Sequence, residues 1–196
     1  MKKISTLFKK DPDDLGRVIN EVDPENAGAL TEGIATRKFD GTACAIIDGE
    51  LYKRYDVKGN KKTGEFPAVP DGAIPCQEPD AITGHWPHWV KCDRVKPEDK
   101  YHFEAFDVSG VWANGTYELC GPKINGNNEK LSVHRLIRHG AVFYGSDFFD
   151  HSFDGIRFFL KNIDIEGIVF RNPDGRMCKI RKSDFGFKRE PADEKN

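Results

Sequence analysis

The chain has 196 residues, 38% hydrophobic and 32% charged, and its 30 basic and 32 acidic side chains leave a formal net charge of −2. A chain of this length buries about 70% of its unfolded surface around one core, and the composition excludes a disordered protein. The net charge does not by itself indicate a nucleic-acid partner, because phosphates are bound by a local concentration of basic residues. No apolar run reaches membrane-spanning length, so we predict a soluble protein with no membrane partner.

The five cysteines favour reduced thiols in a cytoplasmic compartment, because they are odd in number and include no Cys-x-x-Cys pair. The basic start of the chain has an apolar stretch too short for a signal peptide. We therefore predict cytoplasmic localisation and leave the oligomeric state open.

The first elements are short runs rich in Val, Ile, Tyr and Phe, separated by Gly, Asn and Asp, which are typical of strands. Residues 36–47 and 51–57 predict a hairpin that turns at Asp48-Gly49. Residues 60–84, with four prolines and several glycines, predict a long loop.

The middle of the chain contains two strand-like and two helix-like segments. Residues 101–108 and 116–120 predict a second hairpin across Gly110 to Gly115. Residues 129–139 and 150–162 predict helices. The second of these places four apolar residues on one face: Phe153, Ile156, Phe159 and Leu160.

The last elements are two strands at residues 165–171 and 177–182, which predict a final hairpin across an Asn-Pro-Asp-Gly turn. Residues 188–196 predict a polar tail. Hairpins with interspersed helices, without strand–helix alternation, indicate an α+β fold rather than a parallel sheet. We predict one domain, residues 1–187, and no repeats.

Lys38 opens the most informative motif, Lys38-Phe39-Asp40-Gly41-Thr42. A lysine is a covalent nucleophile when its ammonium loses a proton, which desolvation or neighbouring positive charge promotes. Here the lysine is followed by a carboxylate, a glycine that lets a ligand approach the backbone, and a hydroxyl. Alone, the pattern also fits a surface lysine before an Asp-Gly turn. A functional site is favoured by the residues that follow in order: Arg54, Glu118, Glu166, Lys179 and Arg181.

These motifs, in this order, resemble those of the covalent nucleotidyltransferases, which comprise ATP-dependent DNA and RNA ligases and GTP-dependent mRNA capping enzymes. The resemblance spans roughly residues 30–187, and the chain is most similar to a small ATP-dependent RNA ligase. It implies an ATP-grasp-like adenylyltransferase core, in which two antiparallel sheets with flanking helices form a nucleotide-binding groove.

The resemblance implies three catalytic residues. Lys38 would carry AMP as a phosphoramide, Glu166 would bind Mg²⁺ or Mn²⁺, and Lys179 would contact the transferred phosphate. ATP would be bound by Lys38, Asp40, Gly41, Arg54, Glu118, Lys179 and Arg181.

The residues themselves leave alternatives at each of these positions. Glu118 also fits a solvated strand glutamate. Glu166 lies in an apolar setting, where a carboxylate needs a cation or a lysine ammonium as partner. Lys179 and Arg181 share one strand face by two-residue alternation, which fits either a phosphate site or an exposed basic strand.

Two departures distinguish RNA ligases from their relatives. DNA ligases and capping enzymes carry an arginine five residues after the nucleophile, where this chain has Ala43, preceded by Thr42 as in RNA ligases. They also place a β-barrel domain after the last basic motif, and the residues after Lys182 are too few for such an OB barrel. We therefore expect RNA repair, with RNA 3′-hydroxyl and 5′-phosphate ends as substrates. The alternatives are a GTP-dependent capping-type guanylyltransferase, a DNA ligase, or a non-catalytic nucleotide- or RNA-binding relative.

The segment His85-Trp86-Pro87-His88-Trp89-Val90-Lys91-Cys92 suggests two other interpretations. His85, His88 and Cys92 have the spacing of no common zinc site and lack a fourth ligand, so we do not predict zinc there. Trp86 and Trp89 either stack on nucleic-acid bases or pin the proline-rich loop to the core, and we favour the second.

Overall fold

The computed structural model describes residues 4–60, 62–80, 83–108 and 112–189, and it is a mixed α+β fold with more strands than helices. The chain divides into two compact units. The described part of unit 1 lies within residues 41–138, and the described part of unit 2 comprises residues 4–40 and 139–189. Within the described ranges, no helix is long and apolar enough to cross a membrane.

The elements follow one another in the order β1 (Ser5–Thr6), β2 (Phe8–Lys10), β3 (Val18–Val22), β4 (Ile34–Lys38), β5 (Thr42–Ile47), β6 (Glu50–Lys58), β7 (Ile74–Pro75), β8 (His85–Lys91), α1 (Lys100–Asp107), β9 (Gly115–Cys120), β10 (Arg135–Arg138), α2 (Phe153–Asn162), β11 (Gly167–Arg171) and β12 (Met177–Arg181). Short 3-10 helices lie at Pro24–Leu30, Pro97–Asp99, Asn125–Asn127 and Lys182–Phe185.

Unit 1 is built on a six-stranded antiparallel sheet in the order β10-β9-β5-β6-β8-β7. The predicted hairpin of β5 and β6 is confirmed. Its turn residues Asp48 and Gly49 have φ angles of 51° and 78°, the positive values that a tight two-residue hairpin turn requires. A core cluster on one face of the sheet contains Cys44, Ile46, Leu51, Cys92, Ala105, Tyr117, Leu119 and Leu136.

The prediction of a strand at residues 101–108 is wrong, because this segment is helix α1. The preceding Pro97-Glu98-Asp99 forms a 3-10 helix that leads directly into it, and proline and acidic residues are typical of a helix start. His102 and Ala105, three residues apart, face inward together. Its predicted partner, β9, pairs instead with β5 and β10. The intervening residues 109–111, including Gly110 of the predicted turn, lie outside the described residues.

The prediction of a helix at residues 129–139 is also wrong. Lys130 has a φ of 54°, in the left-handed region, which interrupts any right-handed helix there. The end of the segment forms β10, which pairs antiparallel with β9 and buries Leu136 in the core of unit 1. With only Leu136 and Ile137 between two arginines, this short strand has no apolar–polar alternation that would predict it.

Unit 2 contains a four-stranded sheet in the order β1-β12-β11-β4 and a two-stranded sheet of β2 and β3. The larger sheet is not purely antiparallel, since β1 runs parallel to β12. The hairpin of β11 and β12 and the helix α2 are confirmed. Ser152 caps the start of α2, since its side chain accepts a hydrogen bond from the Gly155 amide, and the helix buries Ile156 and Leu160 completely.

The segment 36–47, predicted as one strand, is two strands in different units. β4 pairs with β11 in unit 2, whereas β5 pairs with β6 and β9 in unit 1. The break falls at residues 39–41, within the Lys-x-Asp-Gly-Thr motif. The loop predicted at 60–84 contains only the short strand β7 among its described residues.

Candidate functional site

Unit 2 aligns Lys38 with the two basic residues of the last motif. Lys38 ends β4 and lies opposite Gly167 of β11, which in turn lies opposite Arg181 of β12. Residues opposite each other in an antiparallel pair share a face, and Gly167 places no side chain between the two cations. Lys179 lies two residues from Arg181, opposite Val169, and therefore on that same face.

The opposite face of this sheet is apolar except for Arg37, which lies opposite Ile168. Ala35, Ile168 and Ile180, which lie on this face, are 0–2% exposed and belong to the core of unit 2. A one-residue slip of any strand would bury the cations in that core, so the hydrophobic pattern holds Lys38, Lys179 and Arg181 together.

Gly167 is required by the backbone at this point. An added Cβ would lie 2.3 Å from the carbonyl oxygen of Ile180 and 2.8 Å from the Cα of Arg181. A larger residue would push β11 away from β12 and separate Lys38 from Arg181.

Glu166, just before β11, is the ion-pair partner of Lys38. Its Oε2 accepts a hydrogen bond from the Lys38 ammonium, and the two side chains are 22% and 23% exposed. The expectation that this carboxylate has a cationic partner is thus met by the lysine ammonium. A carboxylate in this position orients the amine and lies within reach of its proton.

Lys179 has a strongly lowered pKa. Burial, and then the positive charges of Lys38 and Arg181, lower its pKa from 10.5 to about 8, against the opposing effects of Glu166 and Asp184. Its ammonium has no ion pair or hydrogen bond among the residues that the structure describes. A half-buried cation without a carboxylate of its own, beside two other cations, is suited to an anionic ligand.

Arg181 is held in place by Asp184, which sequence reasoning missed. Its guanidinium donates to both carboxylate oxygens, at 2.9 and 3.3 Å, and Lys10 donates to the same carboxylate at 2.7 Å. The hydrogen bond with Asp184 raises the pKa of Arg181. Burial favours a higher pKa for Asp184, but these hydrogen bonds outweigh it and lower the pKa.

Asp40 is connected to a second residue that the sequence did not reveal, Arg189. The Arg189 Nη1 lies 3.8 Å from Asp40 Oδ2, and its other nitrogens contact Asp164 at 3.1 and 3.3 Å. Its side chain is only 10% exposed, although residue 189 falls in the predicted polar tail. Arg189 therefore links the segment after Lys38 to the segment before Glu166, whereas residues 190–196 of that tail lie outside the described residues.

Gly41, Arg54 and Glu118 lie in unit 1. An added Cβ at Gly41 would lie 2.2 Å from the Leu119 carbonyl oxygen and 2.8 Å from the Glu118 Cγ, so only glycine fits. The Asn125 amide also donates to the Gly41 carbonyl at 2.8 Å. The backbone of the motif is thus packed directly against the strand that carries Glu118.

Glu118 and Arg54 share a face of the unit 1 sheet. Glu118 lies opposite Ala43 of β5, and Arg54 is the next residue of β6 after the pair of Cys44 with Lys53. Two strand spacings separate their backbones by about 10 Å, with only the methyl group of Ala43 between them. Among the described residues, the Arg54 side chain has no hydrogen bond or ion pair.

The tryptophans of β8 pack within unit 1, as we favoured. Trp86 contacts the Phe66 ring edge-on at 5.6 Å, and its Nε1 donates to the Gln77 carbonyl at 3.0 Å. Trp89 is 6% exposed. They hold the proline-rich loop to the sheet.

No protein-family model matches this chain, and no curated protein matches its sequence. The assignment of these residues therefore depends on their chemistry and arrangement and on the motif resemblance. All five cysteines are free thiols.

Proposed function

We propose that the protein is an ATP-dependent RNA ligase that joins RNA 3′-hydroxyl and 5′-phosphate ends through a covalent Lys38–AMP intermediate. The observation that carries this proposal is the shared sheet face of Lys38, Lys179 and Arg181, with Glu166 paired to Lys38. Nucleotidyl transfer needs a nucleophile, a base that accepts the proton of that nucleophile, and cations that neutralise phosphate charge.

The reaction proceeds in three balanced steps. The neutral Lys38 amine attacks the α-phosphorus of ATP, the bond to the β-phosphate oxygen breaks, pyrophosphate leaves, and the Lys38 nitrogen gives one proton to the Glu166 carboxylate. The RNA 5′-phosphate then attacks the phosphoramide, which frees the lysine and gives an adenylated RNA end. An RNA 3′-hydroxyl finally displaces AMP and forms the phosphodiester. Lys179 and Arg181 neutralise the charge that develops on the phosphate oxygens.

The chemistry of Glu166 fits Mg²⁺ or Mn²⁺. These ions are bound by one or two carboxylates together with waters and substrate phosphates, and the Glu166 side chain retains 22% exposure. A bound divalent cation would neutralise charge on the ATP phosphates. By the resemblance, Glu118 binds the ribose, and Arg54 and Gly41 contact the nucleotide.

The first test compares ATP and GTP, each labelled at the α-phosphate, in the presence of Mg²⁺ or Mn²⁺. We expect a covalent label from ATP that withstands a denaturing gel and is chased onto 5′-phosphorylated RNA. A label from GTP alone would favour a capping-type guanylyltransferase. Nucleotide binding without any covalent label would favour a non-catalytic relative.

A second prediction concerns the sugar at the acceptor end. Thr42 and Ala43 stand where RNA ligases differ from DNA ligases, and a site built around a 2′-hydroxyl discriminates strongly against its absence. We expect ends that terminate in ribose to be sealed at least about a hundredfold faster than matched deoxyribose ends. Nicked, single-stranded and hairpin-loop substrates that differ only in the 3′-terminal sugar measure this ratio. Equal sealing of all-DNA nicks would favour a DNA ligase. Cytoplasmic RNA repair remains the setting that we propose.

A further inference from the structure

Unit 1 brings together three side chains that ligate metals: Cys92, Asp99 and His102. One donor atom from each lies within 4.8 Å of the other two. Cys92 directly follows β8, Asp99 ends the 3-10 helix that precedes α1, and His102 lies in the first turn of α1. They are 6%, 0% and 9% exposed, so the cluster is buried.

His102 gives an independent indication of a ligand. Its Nδ1 is buried and has no hydrogen-bond partner among the described residues. Buried polar atoms are nearly always paired, because an unpaired one has lost its hydration without compensation.

We propose that Cys92, Asp99 and His102 bind one Zn²⁺, with water as the fourth ligand. Sulfur, nitrogen and oxygen donors in a four-coordinate site suit this ion. The Cys92 thiol releases its proton to solvent on binding, and the thiolate and the carboxylate together balance the two positive charges. The ion would fasten α1 to the end of β8. None of its three ligands is among the residues that we propose for nucleotidyl transfer.

The Lys53 ammonium would compete with Zn²⁺ for the carboxylate of Asp99. Its ammonium lies 2.5 Å from Asp99 Oδ1 and 3.8 Å from the exposed carboxylate of Glu98. Zinc binding would shift the ammonium toward Glu98, while the Asp93 amide keeps its 2.9 Å hydrogen bond to Asp99 Oδ2. The proposal therefore predicts that Lys53→Met tightens zinc binding, by about tenfold, since a nearby positive charge is removed.

The other zinc ligands considered from the sequence do not join Cys92. His85 pairs with Asp56, and the His88 Nδ1 bonds to the Trp86 carbonyl oxygen at 2.8 Å. His102 lies in the segment 101–108 that the sequence predicts as a strand, and Asp99 just before it, so neither was a predicted ligand. In a helix, their three-residue separation places them on one side.

The test uses the full chain without an affinity tag, stripped by a chelator and titrated with ZnCl₂ or CoCl₂. We expect one metal ion per chain by elemental analysis, and a thiolate-to-cobalt charge-transfer band that zinc abolishes. Cys92→Ser should remove the band and at least nine-tenths of the bound zinc. Cys178→Ala, which removes a buried thiol of unit 2, should retain both.

The wild-type titration decides the matter even if a variant fails to fold. Absence of stoichiometric zinc and of the cobalt band would overturn the proposal, as would a band that persists in folded Cys92→Ser. Unchanged or weaker zinc binding by Lys53→Met would contradict the placement of the ion beside Asp99.

Discussion

Replacing Lys38 by alanine is expected to abolish covalent labelling of the protein by ATP labelled at the α-phosphate. In the proposed mechanism the phosphoramide forms on the Lys38 amine, so no label should withstand denaturation without it. Lys38→Arg is expected to fail equally, because a guanidinium stays protonated and cannot attack phosphorus. Autoradiography of a denaturing gel measures both, with circular dichroism to verify folding.

Lys9→Ala is the matched control, since it removes an exposed lysine of unit 2 that pairs with Glu21. Exposed pairs of this kind contribute roughly 0–1 kcal/mol, so labelling should stay at the wild-type level. A label that persists in Lys38→Ala would show that another residue is the nucleophile.

Lys179→Met is expected to slow both labelling and sealing by about a hundredfold or more. Loss of one group that stabilises transition-state charge has an effect of this size. Methionine keeps the length of the side chain and removes the charge that, in the proposed mechanism, stabilises the transferred phosphate. Single-turnover rates of adenylation and of phosphodiester formation, measured separately, check both parts. Near wild-type rates in both steps would show that Lys179 lies outside the site.

The same substitution is expected to stabilise the fold at neutral pH. Because the pKa of Lys179 is about 8 in the folded chain and 10.5 as its ordinary value, the unfolded chain binds more protons between these pH values. Wild-type stability therefore rises with pH through this window. The gain in Lys179→Met should be on the order of 2 kcal/mol below pH 8 and should vanish above pH 10.5. Urea unfolding at about pH 7 and about pH 10 measures it.

Lys182→Met provides the opposite case. The Lys182 ammonium is buried but donates to the Ile163 carbonyl at 2.8 Å, so its removal leaves that oxygen with only the 3.1 Å hydrogen bond from the Ile165 amide. We expect lower stability at neutral pH and little change in the labelling rate. Stabilisation by both substitutions would mean that buried charge in general, rather than a functional arrangement at Lys179, explains the result.

Elements with strong local signals were predictable from the sequence. The Asp48-Gly49 turn between two strands requires positive φ angles that few residue pairs adopt. The Asn-Pro-Asp-Gly turn specified the hairpin of β11 and β12 in the same way, and the apolar stripe of α2 matched the helical period.

The incorrect predictions concern short segments whose apolar residues fit both the helical and the strand period. Residues 101–108 contain aromatic residues that occur in strands, but the Pro-Glu-Asp sequence before them is a helix-start signal, and the segment is helical. Residues 135–138 form a strand only because β9 offers them a pairing edge. The local sequence of residues 135–138 does not show that β9 will pair with them.

The sequence by itself determined which residues are available for chemistry, their order, and the face shared by Lys179 and Arg181, because strand alternation is a local property. Only the tertiary structure decided that Lys38 lies in register with Arg181 across Gly167, since register depends on pairing between distant strands. The contacts of Asp184 and Arg189 were decided in the same way. The physical reason is that burial and ion pairing arise between segments far apart in the chain, and the local periodicity of the sequence does not predict such contacts.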